Sequence, residues 1–495
     1  MASRPALNIL PPECVAEIIE YLDLDTLKSL RRSSRQLCID CTGPRFKKFI
    51  RCQTLEVTSS THRSFRNLAV HPLGAAVRNL KILATVYDQA FLINTLRSRG
   101  QANESTNPDP TTLQLQADLA WMEAQQQDQD EVSYDQAVKD LAFCLGQFRA
   151  FDHIELDAVL VQGPTTTMAT DNGQPTNWYP VFMRASRIYC MTMEAITISG
   201  AGPKRLSVYQ ATPRCSVPLY DIATNIEFLH SGSPGLADQS IDQSDNLKNA
   251  GKRIEEVSLS LSTKVATGAT ERPPRAPMAC HNIPYDPITA SAAYISSLGG
   301  GWFLEEEKFD GLARFLENMP NLKSLEIHFY QTLLRSRDIH YQRMFDPVAL
   351  RIRLPLLRQC SLRGIAISED SLLQFLSNHQ QITDLMLKQV SIPEGSWEAI
   401  FAHLDRHMPN LRYLCLSTLR MCNRIINLHP VWERCPRELE ENSQSQIYFV
   451  HTKVFTADEL QKGLEFRPMP AGPTQGSQRF SAWVSSLKKE YGPPW

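Results

Sequence analysis

A short pattern, apolar-x-x-apolar-x-apolar, returns four times in the C-terminal half of the chain and narrows the choice of folds more than any other feature. Leu322, Leu325 and Ile327 form one copy, Leu357, Cys360 and Leu362 a second, Ile382, Leu385 and Leu387 a third, and Leu411, Leu414 and Leu416 a fourth. The copies begin at 322, 357, 382 and 411, hence 35, 25 and 29 residues apart. Alternation within each copy predicts a β-strand whose inward side chains are two residues apart. Helical stripes lie between the strands: Phe309, Leu312, Phe315 and Leu316; then Leu372, Leu373, Phe375 and Leu376; then Trp397, Ile400, Phe401 and Leu404. Ser368, ahead of Glu369 and Asp370, suits a helix N-cap, and Pro320 and Pro409 close two helices just before the next strand. Each strand-helix unit leaves an apolar face bare unless it stacks on a neighbour. The fold class predicted is therefore α/β: a curved solenoid with parallel strands on one side and helices on the other.

Weaker copies extend upstream at irregular spacing, as Cys52-Leu55-Val57, Leu80-Leu83, Phe151-Ile154-Leu156, Met193-Ile196-Ile198 and Ile254-Val257-Leu259. Without stacking, the same segments would make an unrelated α/β domain, because short apolar runs do not fix their own secondary structure. Irregular insertions interrupt the body. Gln101 to Pro110 reads as a loop, Leu113 to Phe148 as a Gln/Asp-rich helical stretch, and Gly232 to Gly251 and Thr263 to Tyr285 as surface loops. Beyond Pro468, Pro470 and Pro473, the residues Phe480, Trp483, Val484, Leu487 and Tyr491 share one helical stripe, expected to cap the last repeat or else to meet a partner. The domain reading is 1–50 helical, 51–435 solenoid and 436–495 tail.

The chain has 495 residues, 42% of them hydrophobic and 21% charged, so most of it should fold into two to four structural units. A formal charge of −2 gives no global footprint for nucleic acid or an anionic membrane, and neither is expected as a partner. No apolar run of ~18 residues is present and Met1 to Pro12 lacks a secretion core, which predicts an intracellular protein, cytoplasmic or nuclear, with its 12 cysteines reduced. Candidate chemistry is sparse. Cys38 and Cys41 lack the further ligands of a closed zinc site. Gly299-Gly300-Gly301 is not followed by the Lys-Ser/Thr of a phosphate cradle, and Ser485 to Lys488 has no companion nucleophile motif. His403 and His407 share a helix face without an intervening Glu, and the basic run Arg31, Arg32, Arg35, Arg45, Lys47 and Lys48 has no interleaved aromatic platform. No catalytic residue, metal or cofactor is expected, and the chain is read as a non-enzyme.

The densest motif is LPPECVAEIIEYLDLDTLKSLRRSSRQL, from Leu10 to Leu37. Val15, Ile18, Ile19 and Leu22 recur at helical spacing behind Pro11 and Pro12, and Asp25 is expected to cap a second helix carrying Leu27, Leu30 and Leu37. Leu10, Pro11, Glu13, Ile18, Leu22, Asp23, Leu27, Leu30, Ser34 and Arg35 resemble an F-box in order and spacing, with Ser33 and Leu37 departing from its usual aliphatic and aromatic residues. The resemblance implies docking to a Skp-type adaptor, and through it to a cullin-based ubiquitin ligase, by Leu10, Pro11, Glu13, Val15, Ile18, Leu22, Leu27, Leu30 and Ser34. The body resembles the degenerate leucine-rich-repeat-like bodies that follow F-boxes, particularly in filamentous-fungal families, although the asparagine ladder of the standard repeat is missing. The function implied is a substrate-recognition subunit, and the competing reading is a scaffold that binds without ubiquitin transfer. The protein substrate, unidentified by sequence, is expected at loops past the strand ends, near Arg363, Lys388, Gln389 and the run from Ser417 to Arg420.

Overall fold

The computed structural model describes residues 10–102, 110–148, 151–164, 167–168, 179–213, 215–231, 243–262, 309–330, 344–421, 424–428, 452–460, 464 and 467–468. Four short helices open the chain: α1 (Pro12–Glu20), α2 (Leu24–Ser33), α3 (Arg35–Asp40) and α4 (Pro44–Ile50). Proline stands at the first turn of α1 and of α4, where its missing N–H costs nothing. The cap of α2 is Asp23, whose carboxylate accepts the Thr26 N–H at 2.8 Å, and not Asp25, which pairs with Lys28 in the first turn. Leu24 packs against the head's core, so the helix begins before the residue that the sequence pattern favoured. The first helix likewise ends at Glu20, short of Leu22, where Tyr21 turns back to donate to Ile18 O.

Strands follow in chain order: β1 (Cys52–Glu56), β2 (Asn79–Tyr87), β3 (His153–Val161), β4 (Thr167–Met168), β5 (Arg205–Val208), β6 (Val217–Pro218), β7 (Glu256–Ser262) and β8 (Ser324–Tyr330). They continue as β9 (Gln359–Arg363), β10 (Asp384–Lys388), β11 (Ser391–Ile392), β12 (Tyr413–Ser417), β13 (Arg420–Met421), β14 (Arg424–Asn427), β15 (Thr452–Thr456) and β16 (Arg467–Pro468). The main sheet runs β1-β2-β3-β5-β7-β8-β9-β10-β12, parallel throughout, and β15 closes it antiparallel to β12. Each new parallel strand is laid beside the one before it. Among the described residues, the α-helices between β1 and β12 are α5 (Ser59–Val70), α6 (Ala90–Ala102), α7 (Pro110–Asp130), α8 (Tyr134–Gln147), α9 (Tyr179–Ser199), α10 (Leu219–Ser231), α11 (Gln243–Gly251), α12 (Gly311–Glu317), α13 (Asp346–Arg351), α14 (Glu369–Asn378) and α15 (Trp397–His407). The result is a helical head followed by a mixed α/β body.

The four C-terminal copies lie as the alternation requires. Leu325, Ile327, Cys360, Leu362, Leu385, Leu387, Leu414 and Leu416 are buried in strands and share one core with Leu312, Phe315, Leu372, Phe375, Trp397 and Ile400 of the helices. Ser368 caps α14, accepting the Ser371 N–H at 3.2 Å. Upstream, Leu55, Ile154, Leu156, Val257 and Leu259 are also inward strand residues, but two readings are corrected. Met193, Ile196 and Ile198 belong to α9, because a three-residue step fits a helical turn as well as a strand; the strand of that unit is Leu206 and Val208, after Gly200 (φ +62) ends the helix. In β2 the inward set is Leu80, Ile82 and Ala84, so Leu83 points the other way. Part of the Gly232–Gly251 stretch read as loop is α11, held by buried Leu247 and Ala250. The expected helical stretch from Leu113 to Phe148 is two helices, split where Ser133 caps α8. Gly299 to Gly301 and the stripe from Phe480 to Tyr491 lie outside the described residues.

Candidate functional site

The head folds around Val15, Ile19, Leu27, Leu37, Cys41 and Phe46, and the body contributes Leu73 to the same cluster. Ile50 and Leu68 pack against both this cluster and the core of the body, so the head is seated on the first strand-helix unit. Two cations of the basic run are spent on packing, with Arg31 over the Phe46 ring at 4.0 Å and Arg45 over Phe49 at 5.0 Å. Burial pushes the Cys41 thiol up, as for a packed side chain, and among the described residues no three His, Cys, Asp or Glu converge as a metal-binding group. His403 and His407 stand together on α15, and burial, then the neighbouring His407, pull His403 down.

The residues expected to meet an adaptor divide into two groups. Leu10 (40% exposed), Pro11, Glu13 and Ile18 (37% exposed) lie at the surface. Val15 and Leu27 do not: they are core residues of the head, and Leu22 and Leu30 pack half-buried against them. Ser34 is the N-cap of α3, its Oγ accepting the Leu37 N–H at 3.1 Å. Val15 and Leu27 support the surface from beneath, while Leu22, Leu30 and Ser34 reach it in part. Sequence reasoning missed Tyr21 (83% exposed) and Ile39 (63% exposed), which add apolar area to the head's outside. Ile39 falls two residues past the core residue Leu37, off its helical face, and that phase is the signal that would have found it.

The outward residues of the body's strands form a second surface. Between β3 and β8 this open face sinks into a concavity of about 550 Å³ lined by polar side chains, among them His153, Glu155, Arg205, Ser207, Glu256 and Glu326. Most of its charges are paired across neighbouring strands: Lys81 with Glu155 at 3.3 Å and Asp157 at 2.6 Å, Arg205 with Glu256, and Arg363 with Glu326 at 3.5 Å. His153 Nε2 meets Ser207 Oγ at 2.9 Å. The insertion α6–α7 folds over the first strands: Trp121 packs edge-on to Tyr87, and the buried Gln129 donates to Glu56 Oε1 at 3.2 Å.

Arg363 and Lys388 are register partners at the ends of β9 and β10, and Lys388 is paired with Ser417 of β12, so the sheet brings these three expected substrate residues into one row. Gln389 plays a backbone role. It follows β10 with φ +52, as Thr418 follows β12 with φ +52 and Gly364 follows β9 with φ +68, so the left-handed turn recurs strand by strand. Arg420 lies apart from the row, in β13, where its carbonyl accepts the Trp397 indole N–H at 2.8 Å.

His328, outward on β8, adds a pH-dependent element. Its ring lies on Tyr330 with centroids 4.1 Å apart, and burial, then the Arg363 guanidinium, push its pKa down from 6.5 to about 3. The folded value is below the unfolded one, so the unfolded chain binds the extra proton. The stability from neutral His328 is complete above pH 6.5 and lost as pH falls toward 3. Denaturant titrations at stepped pH are expected to show a slope about 1.4 kcal/mol per unit steeper in the native chain than in His328→Gln over that window. Identical slopes would show that the ring is already charged in the fold.

With this geometry in place, comparison with protein families assigns the head: the F-box domain family matches residues 7–49, so the chain carries an F-box. No curated protein matches the chain. F-box domains in general bind Skp-type adaptors, and the proteins that carry them typically act as adaptors. No described helix is long and apolar enough to cross a membrane.

Proposed function

We propose that this chain is the substrate-recognition subunit of a Skp-cullin-F-box ubiquitin ligase, acting inside the cell. The observation that carries the reading is the F-box seated on the body by shared side chains, with Leu10, Ile18, Tyr21 and Ile39 left outside. An adaptor held on those residues would place the body at a fixed distance and angle from the ligase core. Transfer of ubiquitin is then catalysed in trans by proximity, the chain itself supplying no reacting group.

The body is read as a leucine-rich-repeat-like solenoid. In its favour are the unbroken strand order, the helices between successive strands and the left-handed turn that recurs after β9, β10 and β12. A protein substrate is proposed to lie on the open face, across the concavity between β3 and β8 and toward the Arg363–Lys388 row. Co-purification from cell extract, using the full chain as bait, tests the assignment. A Skp-type adaptor and a cullin are expected among the retained proteins. Recovery of neither would leave a scaffold without ubiquitin transfer as the better reading.

A further inference from the structure

The strand-opening edge of the sheet has a chemistry of its own. The carbonyl of the residue before each strand accepts the N–H groups that open the next: Arg51 O takes Arg78 N and Asn79 N, both at 2.9 Å, and Lys323 O takes Arg358 N at 2.8 Å and Gln359 N at 3.0 Å. These bonds hold the strand-preceding residues in one row. Arg51 and Arg78 begin the row, and Lys204, Lys323, Arg358 and Arg412 continue it. Asp152 and Glu255 interrupt it, pairing with Arg51 at 3.2 Å and with Lys323 at 2.9 Å.

At the head end of the row, α4 lays two more cations alongside it. Lys47, Lys48, Arg51 and Arg78, with Ala76, line a concavity of about 360 Å³ between the head and the first two strands, and no carboxylate is among its lining residues. Lys47 and Lys48 lie in the last turn of α4 and complement its C-terminal end, while Arg51 and Arg78 reach the same concavity from the residues that precede β1 and β2. Both lysines are exposed, and neither forms an ion pair with another described residue.

We infer that this junction pocket binds an acidic segment of a partner protein, its carboxylates set between the α4 lysines and the Arg51–Arg78 pair. An acidic peptide suits the site better than nucleic acid. The cations are gathered in one concavity of about 360 Å³, room for a few carboxylates rather than for the length of a phosphate backbone, and no aromatic ring lines it to stack a base. The contact would bridge head and body, because its two halves come from α4 and from the edges of β1 and β2. It is separate from the open face and does not depend on the substrate-receptor reading.

The test is fluorescence anisotropy of a labelled oligoglutamate peptide with the full chain, at low and at physiological salt, alongside a labelled DNA duplex. Binding should weaken as salt rises, since the charges are exposed and screened over a Debye length of ~8–10 Å. Lys47→Glu with Lys48→Glu should weaken it by at least about tenfold. Lys139→Glu with Arg97→Glu, the same charge change on α8 and α6, should leave it largely unchanged. A melting curve establishes that the variant folds. If it does not, Lys47→Gln with Lys48→Gln removes the same two charges without reversal and should show a smaller loss. Absence of oligoglutamate binding, equal binding by the lysine variants, or tighter binding of the DNA duplex would each overturn the proposal.

Discussion

A chain carrying Leu10→Ala with Ile18→Ala is expected to lose its hold on a Skp-type adaptor while keeping its melting temperature. Both side chains are already more than a third exposed, so truncating them leaves little cavity in the free protein. At an interface each would give up the rest of its apolar surface. Complete burial of a Leu or Ile is worth ~1.5–3 kcal/mol, and the exposed fraction here sets the gain at about 0.6–1.2 kcal/mol apiece. The pair should therefore cost about tenfold in affinity, and more if the two sit at the centre of the contact. Leu27→Ala provides the contrast. Leu27 is fully buried among Val15, Ile19 and Leu37, so its truncation should destabilise the head by ~2–5 kcal/mol and weaken adaptor binding only through unfolding. Calorimetric titration with purified adaptor, paired with thermal melts, separates the two effects. If the surface pair bound as tightly as the native chain, the adaptor would have to sit elsewhere on the head.

The contrast between those positions also shows how much of the molecule was legible in its sequence. The Leu10–Leu37 motif named the correct segment, and spacing placed Val15 and Leu27 on apolar faces, but spacing cannot say which apolar face a small domain keeps for itself. Val15 and Leu27 went inward, while Tyr21, just past α1, and Ile39, out of phase with Leu37, stayed outside. Strand-helix alternation in the C-terminal half was readable because inward residues two apart are interrupted by stripes three and four apart. That signal failed at Met193-Ile196-Ile198, where one long helix satisfied a pattern attributed to a strand. The turn after β10 and β12 was invisible, since Gln389 and Thr418 adopt a left-handed conformation that sequence reading expects of glycine. Neither concavity was foreseeable. The open-face hollow gathers residues from His153 to Glu326, and the basic pocket joins Lys47 to Arg78, so both exist only once the sheet's register is fixed.

Trp397→Ala is expected to produce the largest loss of stability in the body. Trp397 is fully buried at the start of α15, in the core shared with Phe401 and Leu416, and its ring centroid lies 5.7 Å from that of Phe401. Its indole N–H reaches across to the carbonyl of Arg420 at 2.8 Å, so one side chain fills the interior of a unit and also holds the backbone of β13. Removing the ring should cost ~3–5 kcal/mol through lost burial and the cavity left behind. Trp397→Phe keeps most of the volume and deletes the donor to the half-buried Arg420 carbonyl, which should cost about 0.5–1.5 kcal/mol. The order of the two variants in denaturant midpoint tests the packing claim, and hydrogen exchange tests the bond. In the Phe variant, Ile426 N–H, which donates to Leu419 O at 2.9 Å beside Arg420, should exchange faster than amides of β3, which belongs to the separate main sheet. Equal protection at both places would mean that β13 is held by its neighbours alone and that the indole contributes only its bulk.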